Sequence, residues 1–153
     1  MIILDTNVIS ENMRRVPDAH VKAWLSAQMA SDLYTTAITE AEVFNGIELM
    51  PAGKRSKALL LLAEGIFEQE LAGRVLPFDH AASRWFARIF TDRKLRGKPI
   101  KPLDAQIAAI ARLHNATLAT RNTRDFEDCG IHLINPWLAA RMNPPGHSPT
   151  SPA

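Results

Sequence analysis

A chain of 153 residues is about one domain's worth of polypeptide, long enough to bury a core without disulfides or metals as staples. Its 46% hydrophobic and 22% charged residues argue against intrinsic disorder, and its single cysteine, Cys129, excludes an internal disulfide and any cysteine-based zinc cluster. Eighteen Lys and Arg against sixteen Asp and Glu leave a formal charge of +2 at pH 7, too little to announce a nucleic-acid binder by net charge alone.

In chain order, Ile2 to Leu4 read as a short buried strand followed by a turn at Asp5-Thr6-Asn7. Val21, Trp24, Leu25 and Met29 recur at helical spacing, with Asp18 after Pro17 as N-cap. Leu33 to Ile38 is β-branched and aromatic and predicts a second strand. A helix is expected from Thr39 through Glu42, Phe44 and Ile47, and a long one over Lys54 to Leu71, broken by Gly73. Val75 to Phe78 reads as a brief extended segment. Helices are expected over Ala81 to Arg96, ended by Gly97, and over Pro102 to His114. Thr117 to Thr120 and Ile131 to Ile134 read as strands, the latter stopped by Pro136. Strands alternating with helices predict an α/β domain with a mainly parallel sheet. The segment Asn143 to Ala153 is rich in Pro and Ser and reads as a solvated tail.

The apolar runs fall far short of the ~20 residues that a bilayer crossing needs. The N-terminus lacks the basic start and longer apolar stretch of a signal peptide. A cytoplasmic protein without a membrane partner is therefore expected.

In open α/β sheets, ligands sit beyond the carboxyl ends of the strands. Asp5 comes directly after the first strand, Glu42 lies in the helix after the second, and Asp104 opens a later helix. Arg121-Asn122-Thr123-Arg124-Asp125 comes after the Thr117–Thr120 strand. Converging carboxylates repel, and burial adds to the cost. A hard divalent cation, Mg²⁺ or Mn²⁺, offsets that repulsion and binds phosphate oxygens, so a phosphodiester is the natural substrate. Arg84, Arg88, Arg93, Lys94, Arg96, Lys98 and Lys101, opposed only by Asp92, form a basic stripe able to hold a polyanion such as RNA.

Each residue also has a purely structural reading. Asp5 fits a turn after a strand. Thr39-Glu40-Ala41-Glu42 fits a capping box, which favours a cap for Glu42. Asp104 complements a helix dipole, Asp125 can cap the turn before Phe126, and a basic stripe is commonly a solvated helix face. Other chemistry finds no support. There is no dinucleotide fingerprint or P-loop, the five histidines lack metal-ligand spacing, and Ser10 and Ser83 have no elbow motif. Cys129 reads as a small buried residue rather than a nucleophile.

Four segments taken in order are more specific than any one of them. Met1 to Ser10 (MIILDTNVIS), Ala37 to Glu42 with Gly46, Pro102 to Ala109 (PLDAQIAA) and Leu118 to Phe126 (LATRNTRDF), with the terminal Ile134-Asn135-Pro136-Trp137, together resemble PIN-domain endoribonucleases. The resemblance spans residues 1–137 and is nearest the VapC-type toxins of the FitB-like branch, with residues 138–153 left as a C-terminal extension. It implies a three-layer α/β/α sandwich, a homodimer and a cognate VapB-like antitoxin. It also implies Mg²⁺- or Mn²⁺-dependent hydrolysis of RNA by a metal-activated water. By the same resemblance Asp5, Glu42 and Asp104 form the acidic, metal-binding core. Relatives place the fourth acid at either of two positions; here Asn122 occupies one and Asp125 the other, so Asp125 is expected to complete the site. Thr6, Asn7, Thr120 and Asn122 are expected to orient the carboxylates. An apolar groove near Trp24, Val43, Phe44 and Ile47 is the expected antitoxin seat.

Two other readings compete. A haloacid-dehalogenase-like phosphatase expects a second acid where this chain has Asn7. A PIN-like module that only grips RNA or protein has no use for clustered carboxylates, since bare phosphate binding selects against them.

Overall fold

The computed structural model describes residues 1–139. The expected tail from Asn143 lies outside them, as does most of the expected extension. The elements run β1 (Ile2–Leu4), α1 (Thr6–Asn12), α2 (Ala19–Ser26), β2 (Leu33–Thr36), α3 (Ala37–Glu48), α4 (Lys54–Gly65), β3 (Val75–Leu76), α5 (His80–Leu95), α6 (Pro102–Leu113), β4 (Thr117–Ala119), β5 (His132–Ile134) and α7 (Pro136–Ala139). A single π-helical turn, Ile66–Glu70, extends α4, so the long helical pattern is one rod with a widened end. Short 3₁₀ turns occupy Ala30–Asp32 and Thr123–Phe126.

The five strands form one parallel sheet in the order β3-β2-β1-β4-β5. The chain builds outward from β1 to β3 on one side, then returns to place β4 and β5 on the other. The switch point lies between β1 and β4, whose register pairs Ile2 with Thr117 and Leu4 with Ala119. Crevices for ligands open at such points, beyond the strand carboxyl ends.

Alternation along the strands creates the two helical layers. Ile3 and Leu118 face α5 and α6, where Ile89, Ile107, Ile110 and Phe126 pack. Leu4 and Ala119 face the opposite layer, with Val8, Val21, Trp24, Val43 and Ile47. Both faces are covered, as a parallel sheet requires, and the architecture is the expected three-layer sandwich.

Several boundaries differ from the sequence reading. α1 forms where a turn was expected, because Val8 and Ile9 find the core one helical turn after Asp5. α3 begins at Ala37, not Thr39, because the Thr36 hydroxyl at the end of β2 accepts the Thr39 amide (3.0 Å) and caps the helix. This removes the capping box assigned to Glu42. α2 is capped by Asp18 as expected.

One basic residue of the expected RNA-binding stripe is misassigned. Arg93 is 5% exposed and belongs to the interior. Its position continues the buried face of α5 through Ala82 and Ile89. Its Nε donates to the Lys98 carbonyl (2.7 Å) and Nη1 to the carbonyls of Asp125 (2.9 Å) and Glu127. Arg93 is therefore a strut for the turn that carries Asp125. Arg84, Arg88, Lys94, Arg96, Lys98 and Lys101 are exposed. Arg96 pairs with Asp92 and Lys98 with Asp128, which partly neutralises the stripe.

Replacing Arg93 leaves these carbonyls without their buried donor. Arg93→Ala is expected to cost about 3 kcal/mol and to lower Tm by roughly 6–12 °C, read by thermal denaturation. A loss below about 1 kcal/mol overturns the strut assignment.

Candidate active site

The site is assembled at the β1–β4 switch point. Asp5 comes directly after β1 and is buried. It holds the N-cap position of α1, yet its carboxylate does not cap that helix. Instead its Oδ2 accepts from the Asn7 amide nitrogen (2.7 Å) and the Thr120 hydroxyl (2.7 Å). The buried Thr120 oxygen also accepts from Asn7 Nδ2 and from the Asn122 amide, each at 3.1 Å. Asn7 Oδ1 accepts the Arg121 amide at 3.0 Å. Thr6, the first residue of α1, donates its hydroxyl to Glu42 of α3. Thr6, Asn7 and Thr120 thus orient carboxylates directly, while Asn122 contributes through its backbone.

The electrostatics tie in the remaining acids. Burial is the main cause that raises the Asp5 carboxyl above its ordinary range; the hydrogen bond from Thr120 pulls it down and the charge of Glu42 pushes it up. Asp104, in the first turn of α6, is pushed up to about 6. Burial leads, then the charges of Asp5, Glu42 and Asp125, with the Lys101 ammonium pulling the other way. Asp125 lies exposed in its 3₁₀ turn, close enough for its charge to reach Asp104. The structure therefore brings Asp5, Glu42, Asp104 and Asp125 into one electrostatic neighbourhood. Asn122 adds no charge there.

A hard divalent cation fits this donor set. The groups are carboxylate oxygens, and their excess negative charge has little local relief. Among the described residues, no three His, Cys, Asp or Glu side chains converge tightly enough to ligate one ion by themselves. Mg²⁺ suits such an open arrangement, because it keeps several waters and is held by one or two protein carboxylates. Cys129 plays no part: it is buried, and burial pushes its thiol up, away from the reactive thiolate.

A groove of about 1020 Å³ begins beside Glu42 and runs along α3 and α4. Val43, Ile47, Met50 and Leu59 supply its apolar lining; Arg14, Arg15 and Arg55 add charge. Val43 and Ile47 lie where the sequence placed them. Trp24 and Phe44 do not line this groove. Trp24 is buried in the core, and Phe44 packs on Phe67 with ring centroids 5.7 Å apart.

Sequence reasoning missed two features. Arg93 could have been found by extending the apolar face of α5. The other is Arg121, whose guanidinium carbon lies 5.2 Å from the centre of the Trp137 ring. Two side chains 16 positions apart give no local signal of that contact.

The arrangement defines a parallel α/β protein with an acidic site at the sheet's switch point. A PIN domain model matches residues 2–131, and the chain belongs to the PIN-domain family. It is 50% identical to the VapC ribonuclease Y4jK of Sinorhizobium fredii, over 92% of this chain and 100% of that protein. It is 42% identical to the toxin FitB of Neisseria gonorrhoeae, over 90% of this chain and 99% of that one. The solved structure of FitAcB from Neisseria gonorrhoeae superposes with a TM-score of 0.80 at 41% identity, covering 90% of this chain and 99% of its counterpart. DNA-bound VapBC from Salmonella typhimurium gives 0.75 at 28% identity, covering 87% and 96%. The VapC and FitB likenesses agree with the VapC-type, FitB-like resemblance of the sequence.

The raised Asp104 carboxyl has a consequence for the metal-free protein. Its pKa is about 6 folded and 3.8 ordinarily, so the folded state holds the proton more tightly. The associated stability is complete below pH 3.8 and lost as pH rises through 6. With chelator present, Asp104→Asn should raise Tm by a few degrees at pH 7.5, about 1 kcal/mol after solvent screening, and give no gain near pH 4. A variant that melts lower than the parent at pH 7.5 contradicts the repulsion.

Proposed function

We propose that this protein is a Mg²⁺- or Mn²⁺-dependent endoribonuclease and the toxin of a toxin–antitoxin pair. The observation that carries the reading is the grouping of Asp5, Glu42 and Asp125 around Asp104 at the sheet's switch point, where burial first and then those three charges push the Asp104 carboxyl up to about 6. Relatives named as a VapC ribonuclease and as the toxin FitB support the substrate class and the biological role.

Asp5 and Asp104 would hold the cation, with Glu42 beside them as ligand or orienting base. Asp125 supplies the fourth negative charge that Asn122 cannot. When bound, the cation binds a phosphate oxygen and lowers the pKa of water. The chain's own residues set the geometry. Asn7 and Thr120 fix the Asp5 carboxylate, and Thr6 fixes Glu42. The exposed Arg84, Arg88, Lys94, Arg96, Lys98 and Lys101 attract the RNA backbone. Because water is the nucleophile, the RNA 2′-hydroxyl is spared and the products carry 5′-phosphate and 3′-hydroxyl ends. The protein acts in the cytoplasm as a homodimer.

Antitoxin-free protein should cut total cellular RNA into discrete fragments with Mg²⁺ or Mn²⁺. Chelator should abolish cleavage, and Asp104→Asn should reduce it by at least ~100-fold, since it removes charge from the reacting centre. Fragments ending in 2′,3′-cyclic phosphate refute the mechanism. Persistent cleavage by Asp104→Asn refutes the site.

The groove beside Glu42 is the proposed seat of a VapB-like antitoxin. An amphipathic segment fits its apolar lining, with acidic residues against Arg14, Arg15 and Arg55. Arg55 is exposed on α4 across that lining, so Arg55→Glu should keep the fold and the cleavage rate but weaken antitoxin binding at least ~10-fold by titration calorimetry. Unchanged binding removes the groove as the seat.

A further inference from the structure

The residue after Thr120 is tied to the acidic centre through its backbone. The Arg121 amide donates to Asn7 Oδ1 (3.0 Å), the same Asn7 whose Nδ2 donates to Asp5 Oδ2 (2.7 Å). The Arg121 carbonyl accepts from Asn135 Nδ2 (3.4 Å), and Asn135 Oδ1 accepts the Trp137 amide (3.0 Å). Asn135 thus joins the segment after β4 to the first turn of α7. Trp137 is half-buried against the core, so its ring is a fixed platform. Arg121 is exposed, and its guanidinium carbon sits 5.2 Å from the centre of that ring.

This stacking has a chemical consequence. A guanidinium carries five N–H donors in a rigid fork suited to phosphate, and stacking on an aromatic face restricts its freedom without using those donors. Among the described residues, Arg121 makes no ion pair, although Asp5 is only two hydrogen bonds away through Asn7. A cation whose backbone is tied to the acidic centre, and whose guanidinium makes no ion pair among the described residues, is placed for an anion arriving with the substrate. With the guanidinium over the ring, the contact offered is charge rather than base stacking.

We propose that Arg121, held on Trp137, binds the backbone phosphate flanking the scissile one and so fixes the RNA strand at the acidic site. This inference rests on the nuclease reading above. Trp137 is the positioning residue; it acts through Arg121.

Binding is measured by fluorescence anisotropy with fluorescein-labelled single-stranded RNA of mixed sequence, in chelator so that nothing is cut. Arg121→Ala should raise Kd about 5–10-fold and reduce the slope of log K against log salt by about 0.7, the loss of one phosphate contact on a single strand. Arg121→Lys should keep the slope but bind about 2–3-fold more weakly, because charge remains while the guanidinium's forked donors and its contact with the ring are lost. Trp137→Phe should stay near the parent, whereas Trp137→Leu should match Arg121→Lys. With Mg²⁺, Arg121→Ala should raise KM and leave kcat within about 2-fold, the signature of lost binding rather than lost chemistry. An unchanged Kd and salt slope for a folded Arg121→Ala, in a parent that cleaves RNA, overturns the inference alone. So does an effect confined to antitoxin binding, which makes Arg121 a protein contact. A parent that does not cleave, yet binds RNA in an Arg121-dependent way, overturns the nuclease reading and leaves this contact standing.

Discussion

A carboxylate buried at the end of a central strand is costly, and the switch-point structure is arranged around that cost. Asp5 cannot turn to solvent, because β1 lies between β2 and β4 and both faces of the sheet are covered. Its stabilisation comes from neutral donors, the Thr120 hydroxyl, the Thr6 backbone and the Asn7 amide, rather than from a cation. A lysine or arginine in their place would neutralise the acid and close it to metal. Amide and hydroxyl donors hold the charge in place while leaving it negative. The same logic extends to Glu42, oriented by the hydroxyl of Thr6. Folding energy is thereby committed to keeping repulsive charges together, a common trade at functional sites.

The positive charge of the chain is sorted by burial. Arg93 is drawn inside to hold main-chain carbonyls, and the turn bearing Asp125 depends on it. Arg88 and Arg112 both lie over Trp85, at 5.2 and 5.1 Å, on the outer layer. Lys98 and Arg96 spend part of their charge on Asp128 and Asp92. The residues left to meet a polyanion are fewer than the seven counted along the stripe. A sequence count therefore overstates the electrostatic footprint wherever arginines keep step with a helix's apolar period.

Most of the fold was legible because its signals are local. Asp18 caps α2 as read, the Gly97 break ends α5, and Pro102 opens α6. The α1 helix was not legible, since its seven residues carry too little apolar period to stand apart from a turn. Glu42 shows how a sound local pattern can mislead. Thr39 to Glu42 has capping-box chemistry, but Thr36 caps the helix first, which frees Glu42 for the site. Asp5 and Asp104 stand where local pattern exposes them, at the carboxyl end of a strand and in the first turn of a helix, whereas Glu42 lies midway along α3. The bonds that orient them join Asn7 to Thr120 and Thr6 to Glu42, and such pairs are set by the parallel register of β1 against β4 and β2, which spacing alone cannot supply.

The Asp5–Thr120 bond spans 115 positions of chain. On a ribosome, β1, β2 and β3 emerge and can pair before β4 exists. The carboxylate of Asp5 then lacks the hydroxyl that orients it, and neither Asp104 nor Asp125 has found its place. At roughly 5–20 residues per second, on the order of ten seconds separate the first acid from its last support. Long-range closure of this kind is slow to form and late in synthesis. The four acids are thus brought together only once nearly the whole described domain has left the ribosome.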